Sequence, residues 1–206
     1  MLDAVEPWVV RPRDLTDVWA RPAKELVRLA DHGLVKRVAH GYWAIVPPAR
    51  RLDGGWVPPI EELALALATR DAVYEGAVLS NMAAARVHGL VPRALGAAVV
   101  AVDRQRPPIR TPWGTIYFTT RNTATLDVQA TVIGRTEGLV TTPEQTLIDL
   151  LRHPTVGHVV AADAREAATK LARDVDWDQV EELAGRQRGQ AALTRFRRDF
   201  AEGHVI

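Results

Sequence analysis

Between Pro47 and Pro59 the chain carries four prolines and two glycines in the run Pro47-Pro48-Ala49-Arg50-Arg51-Leu52-Asp53-Gly54-Gly55-Trp56-Val57-Pro58-Pro59. Proline fixes φ and removes a backbone donor, and glycine loses more conformational freedom on ordering than any other residue. No helix or central strand runs through such a stretch, so it divides the sequence in two. The expected organisation is a domain over residues 1–47, a linker over 48–59 and a second domain over 60–206. A chain of 206 residues is long enough for two small domains or one large one.

The first 47 residues have the pattern of a compact unit. Leu15, Val18 and Trp19 share one face of a short helical segment over Arg13–Trp19. Pro22 stands where a helix accepts proline, in the first turn, and Leu26, Leu29 and Ala30 follow at helical spacing. Gly33 is placed to end that helix. Two β-type runs, Leu34–Val38 and Tyr42–Val46, then flank the tight turn Ala39-His40-Gly41. Helix, turn, helix and hairpin in this order are the outline of a winged helix-turn-helix.

Beyond the linker, helices are expected over Ile60–Thr69 and Asn81–His88, the latter capped by Ser80 and ended by Gly89. Ala97–Val102, Thr115–Thr120 and Leu126–Ile133 have strand character. At Thr142-Pro143-Glu144-Gln145 the threonine caps a helix, proline is its first residue, and glutamine closes the capping box. Three further helices fit residues 156–172, 177–184 and 190–201. The expected fold class is α+β: an N-terminal winged helix-turn-helix followed by a mixed α+β domain.

Composition removes several chemistries. The chain has no cysteine, which excludes disulfides, thiol nucleophiles and cysteine-ligated zinc. Its single serine, Ser80, lies in Val78-Leu79-Ser80-Asn81-Met82, which is not a nucleophile elbow. No apolar run is long enough for a membrane helix, and the start Met1–Pro7 lacks the basic region of a secretory signal, so a cytoplasmic protein is expected. The formal net charge is +1, but it is unevenly spread. Residues 1–51 carry +3 and residues 52–206 carry −2, so the basic surplus is N-terminal and points towards a polyanion.

On a helical wheel from Pro22, Leu26, Leu29 and Ala30 form the core side, while Lys24, Val27, Arg28 and Asp31 face away. An exposed valine between bases suits a major-groove reader, where bases meet guanine edges or phosphates and an apolar group meets a thymine methyl. Arg21 at the helix start, with Lys36, Arg37 and His40 on the hairpin, would contact phosphates. The expected DNA-binding set is therefore Arg21, Lys24, Val27, Arg28, Lys36, Arg37 and His40. A solvated basic face on a helical hairpin would have the same composition.

A family resemblance joins these segments. The pattern comprises Val9-Val10 with Asp14-Leu15, the run from Lys24 to Val38, and His40-Gly41-Tyr42-Trp43-Ala44-Ile45. It resembles the N-terminal winged helix of the AbiEi antitoxin family. Gly76-Ala77-Val78-Leu79-Ser80-Asn81, Ala84-Ala85, His88-Gly89-Leu90 and the run Thr141–Leu150 are similar to its second region. The resemblance implies a bacterial antitoxin that binds repeated sites in its own operon promoter and represses it. It further implies a partner toxin resembling nucleotidyltransferases, neutralised directly or otherwise. No catalysis and no cofactor are expected.

Two other functions compete. A protein-interaction module could use the winged helix as scaffold. A metal-dependent nuclease would draw on Asp103 and Asp127, with Glu75 and Glu137 near strand ends, yet no lysine lies between Lys36 and Lys170 to assist them. His153 and His158 are five apart, not at the spacing of a helical metal pair. His88 suits a helix C-terminus. Arg186, Arg188, Arg195, Arg197 and Arg198 form a local basic cluster that fits a docking face for an acidic partner, a phosphate surface, or the solvated side of an amphipathic helix.

Overall fold

The computed structural model of the protein describes residues 8–52, 54–71 and 76–201. It is a mixed α+β protein whose strands form two sheets. The smaller one comprises β1 (Val9–Val10), β2 (Val35–Ala39) and β3 (Tyr42–Ile45), all antiparallel, in the order β1-β3-β2. Helix α1 (Pro22–Asp31) precedes the hairpin. Its start and stop are local: Pro22 occupies the first turn, and Gly33 adopts φ +70°. That turn lets the Gly33 N–H reach the Ala30 carbonyl and the Leu34 N–H reach Leu29.

The expected helix over residues 13–19 is shorter than its periodicity suggests. Only a 3-10 turn forms, Pro12–Leu15, with the Asp14 carboxylate accepting the Arg11 backbone N–H at 2.8 Å. Pro22 disfavours helical backbone at the residue before it, so the two helical segments stay separate.

Because successive side chains on a strand point to opposite faces, the small sheet is apolar on both sides. Val10, Val35 and Ile45 pack with Leu15, Leu26 and Leu29 beneath α1. Val9, Val38 and Ala44, with Trp8, join the core of the second region around α2 (Ile60–Asp71). From Leu63 to Ala68 every residue of α2 is buried, so this helix is covered all round. One continuous hydrophobic core thus runs across the 48–59 segment.

The larger sheet has six strands: β4 (Ala77–Leu79), β5 (Ala97–Val102), β6 (Ile109–Thr111), β7 (Gly114–Thr120), β8 (Val128–Ile133) and β9 (Thr136–Thr141). Their order is β6-β7-β5-β4-β9-β8, with β5–β7 and β4–β9 parallel and the other pairs antiparallel. The interior strand β5 is buried from Ala98 to Val102, which explains its unbroken apolar sequence. Helix α3 (Asn81–Val87) leads from β4 to a second, helical core. There α4 (Pro143–Arg152), α5 (Ala161–Leu171), α6 (Trp177–Arg186) and α7 (Gln190–Ala201) pack through Leu147, Leu171, Leu183 and Phe196.

A polar and aromatic joint fastens the small sheet to the large one at the β8–β9 turn. The Trp8 indole donates to Thr136 Oγ1 at 2.7 Å, and Trp8 meets Trp56 edge-on at 6.3 Å. Arg135 lies over Trp8, 4.6 Å from the ring centroid, and donates to the Ile45 carbonyl at 2.9 Å. The Arg135 backbone N–H donates to the buried Glu62 carboxylate at 2.8 Å. Burial pushes the Glu62 carboxyl above its ordinary value, against this hydrogen bond and the nearby guanidinium.

Candidate nucleic-acid interface

Helix α1 is amphipathic, and its period puts Leu26 and Leu29 inward. Arg21, Lys24, Val27 and Arg28 are all exposed; Val27 shows 51% of its surface although it is apolar. The Arg28 guanidinium pairs with Glu25 at 2.9 Å, one turn back. Such an exposed pair is weak and can exchange for a stronger anion. At the tip of the hairpin, the Arg37 guanidinium stands 3.3 Å from His40 Nδ1, and both side chains are exposed. Gly41 takes φ +76° in the turn between them and β3, which opens the tip.

Lys36 is different. Its ammonium donates to the Trp56 carbonyl at 2.6 Å and to the Gly54 carbonyl at 3.3 Å. It ties the 48–59 segment to the sheet instead of facing outward, and it leaves the candidate phosphate-contacting set. The cause is tertiary: β2 runs alongside that segment, whose carbonyls need donors.

A second polar site lies in the helical region, and the sequence pointed only to its edge. Thr142 caps α4 as expected, accepting from the Gln145 N–H at 3.2 Å. Gln145 does not close the box. Its amide nitrogen donates to Asp149 Oδ1 at 2.9 Å, its amide oxygen accepts from Asp127 N at 3.2 Å, and its side chain also meets Gln187. The Thr142 N–H donates to the Asp127 carbonyl instead.

Arg121 completes the network, with Nη1 donating to Asp149 Oδ1 at 2.6 Å and Nη2 to Gln187 Oε1 at 3.0 Å. Burial pushes the Asp149 carboxyl upward, against the Arg121 charge and its hydrogen bonds. Gln145, Thr146 and Asp149 are buried on a helix whose Leu147, Ile148 and Leu150 are buried too. Polar residues at i and i+4 among core positions were the available sequence signal for this site.

Of the carboxylates considered for a nuclease, Asp103 and Asp127 hold structural hydrogen bonds. Asp103 Oδ1 accepts from the Thr123 N–H at 2.9 Å and its hydroxyl at 2.8 Å, and these bonds hold its carboxyl below the ordinary range. Asp127 Oδ2 accepts from Thr142 and Gln179, both at 2.7 Å. Glu137 is exposed, and Glu75 lies outside the described residues. Among the described residues no group of three histidines or acids is placed to hold a metal. His88 lies at the α3 C-terminus, where its Nε2 donates to the Thr141 carbonyl at 2.8 Å.

The C-terminal arginines are largely matched by groups on α6 and α7. Arg197 meets Glu181 at 2.5 Å and lies over the Trp177 ring, Arg186 lies 3.6 Å from Glu182, and Arg198 lies 3.6 Å from Asp199. Arg195 is exposed and Arg188 adopts φ +56° in the turn before α7.

No family model and no curated protein matches this chain. Among the described residues no helix is long and apolar enough to cross a membrane.

Proposed function

We propose that the chain is a DNA-binding transcriptional repressor of the winged-helix type that acts as the antitoxin of a toxin–antitoxin pair. The observation that carries the DNA-binding part is the outward face of α1, where Val27 is half exposed among Arg21, Lys24 and Arg28. Nothing in folding rewards an exposed valine there, whereas a thymine methyl would. The order of elements supports the same reading: a helical turn and α1 on one face of a sheet in which β1 pairs with β3, followed by a hairpin with a basic tip.

In this scheme α1 enters the major groove. Arg28 exchanges Glu25 for a guanine edge or a phosphate, Lys24 does the same from the previous turn, and Val27 covers a methyl group. Arg21 contacts phosphate from the helix start, and Arg37 and His40 do so from the hairpin. The small sheet is docked on α2 by its other face, so the reader helix is held on a rigid support. Repression then follows from occupying promoter repeats, with two chains on paired half-sites. The antitoxin role rests on the AbiEi resemblance, and the chain itself performs no catalysis.

Fluorescence anisotropy on duplex DNA from upstream of its own gene tests the reading. Binding should be selective over a scrambled duplex and should weaken by orders of magnitude between about 50 and 200 mM salt. Weak, equal binding to both duplexes would reject it. Co-expression with the neighbouring toxin gene tests the antitoxin role separately.

A further inference from the structure

The six-stranded sheet ends at β6 on one side and at β8 on the other. The β6 edge is guarded: it is three residues long, its central Arg110 is charged and exposed, and it packs beside β2. The β8 edge has no such protection. Its run Val128-Gln129-Ala130-Thr131-Val132-Ile133 pairs with β9 without a bulge and contains no charge and no proline. Edge strands are ordinarily blunted by one of these devices.

The register shows which backbone groups face outward. Gly134-Arg135 closes the hairpin at the pair Ile133–Thr136, and the Thr142 N–H donates to the Asp127 carbonyl at 3.1 Å. Hydrogen-bonded pairs alternate along an antiparallel ladder, so Gln129, Thr131 and Ile133 turn their backbone groups towards β9. The N–H and C=O groups of Val128, Ala130 and Val132 point away from it, and among the described residues no hydrogen bond outside the ladder reaches them. The edge is also uncovered by side chains, since Gln129 and Ala130 are exposed and Val132 shows 69% of its surface. Val128 shares a face with Val132 and is half-buried against Val78, Ala101 and Leu126.

We propose that β8 pairs antiparallel with β8 of a second copy of this chain, about a twofold axis at Ala130, joining two six-stranded sheets into one. A twofold axis perpendicular to the sheet sets one residue opposite its own copy and keeps the two faces in common. With Ala130 on the axis, Val132 stands opposite Val128 of the second copy, and Gln129 stands opposite its Thr131. Apolar meets apolar, polar meets polar, and no like charges are opposed. The outward donors and acceptors of Val128, Ala130 and Val132 answer one another across the axis. Val132 then covers the half-buried Val128 of the second copy and extends the cluster beneath it. With the axis one residue further on, at Thr131, Val128 would face the turn residue Gly134 and this apolar match would be lost. The interface lies apart from α1 and is tested without DNA, so it stands or falls separately from the DNA-binding reading.

An interface of one short strand a side buries less than about 1,200 Å², the range of transient association. Sedimentation equilibrium of the full chain from about 5 to 500 μM should show a reversible monomer–dimer equilibrium with Kd of about 100 μM or tighter. Ala130→Pro removes an outward N–H and leaves the β8–β9 bonds in place, because proline is tolerated on an edge strand; it should weaken association tenfold or more. Val132→Lys, at a position exposed in the monomer, sets an ammonium against Val128 of the second copy and should do the same. It decides the matter if Ala130→Pro fails to fold by circular dichroism. The chain has no cysteine, so one introduced thiol reports the register. Opposite Cα atoms of a hydrogen-bonded pair lie about 5.5 Å apart, inside the disulfide range of about 4.4–6.8 Å, so Ala130→Cys should give a covalent dimer on mild oxidation. Val132→Cys is about 14 Å along the strand from its own copy and should cross-link at least tenfold more slowly. The proposal is overturned if the chain stays monomeric up to about 500 μM, or if a folded Ala130→Pro or Val132→Lys protein associates unchanged. It is also overturned if Val132→Cys cross-links as fast as Ala130→Cys.

Discussion

Replacing Arg121 with methionine should destabilise the protein by about 3–5 kcal/mol at pH 7. The change removes the 2.6 Å bond to Asp149 and the 3.0 Å bond to Gln187 while keeping much of the side chain's length. Asp149 is 1% exposed, and its carboxylate would keep only the hydrogen bond from Gln145. A buried carboxylate without its cation then either stays charged at high cost or takes up a proton. Burial already raises this carboxyl in the intact protein, with Arg121 opposing. Without Arg121 the folded value rises further.

The sign of the pH dependence follows. The folded state holds this proton more tightly than the unfolded chain, so its contribution is greatest below the unfolded value and is lost as pH rises through the folded one. That loss is larger in the variant, so the deficit against the wild type is largest at pH 7 and shrinks towards about pH 5. His153, whose imidazole is held below the usual range by burial, Arg152 and Arg121 against the pull of Asp149, loses the Arg121 contribution in the variant. Urea unfolding of both proteins at the two pH values measures the difference. A deficit under about 1 kcal/mol at pH 7 would refute the reasoning, as would one that does not change with pH.

Four further outcomes are expected. Gly134→Ala should cost about 2–4 kcal/mol, because φ is +59° there and an added Cβ would come within 2.5 Å of the Glu62 carboxylate that holds Arg135 N; thermal unfolding checks it. Lys36→Ala should lower stability by about 1–2 kcal/mol with DNA affinity little changed. Arg28→Ala should do the reverse, costing about 1–3 kcal/mol of specific binding, so anisotropy and unfolding on both variants separate support from contact. Trp8→Ala should cost about 3–5 kcal/mol and speed tryptic cleavage after Arg50 or Arg51, since Trp8 packs in the core joining the two regions; an unchanged digestion rate would mean that the small sheet is held by something else.

Helices α1 and α4 were legible because their information is local, whereas the segment expected as a helix over 13–19 forms only a 3-10 turn and the one expected over 156–172 begins at Ala161. The spacing of Leu26 and Leu29, Pro22 at one end and Gly33 at the other place α1 within a residue of its observed limits. The same holds at Thr142-Pro143, and β5 follows from six apolar residues in a row. The sequence signals for β1, β4 and β6 were too short to read, since these strands have two or three residues each. Strand β9 carries Gly138 and polar threonines, and it is defined by pairing with β4, some sixty residues earlier.

Sequence by itself therefore determined the order of helices, the α1 wheel with Val27 and Arg28 outward, and the hairpin that follows. Tertiary structure decided which charges remain available. It tied Lys36 to the carbonyls of residues 54 and 56, joined the two regions through Trp8 and Arg135, and drew Arg121, Gln145, Asp149 and Gln187 together from three separate segments. Periodicity reports only which face of one element is apolar. Where a buried donor finds its acceptor depends on which other element is packed against that face, and that is fixed only when the whole chain is folded.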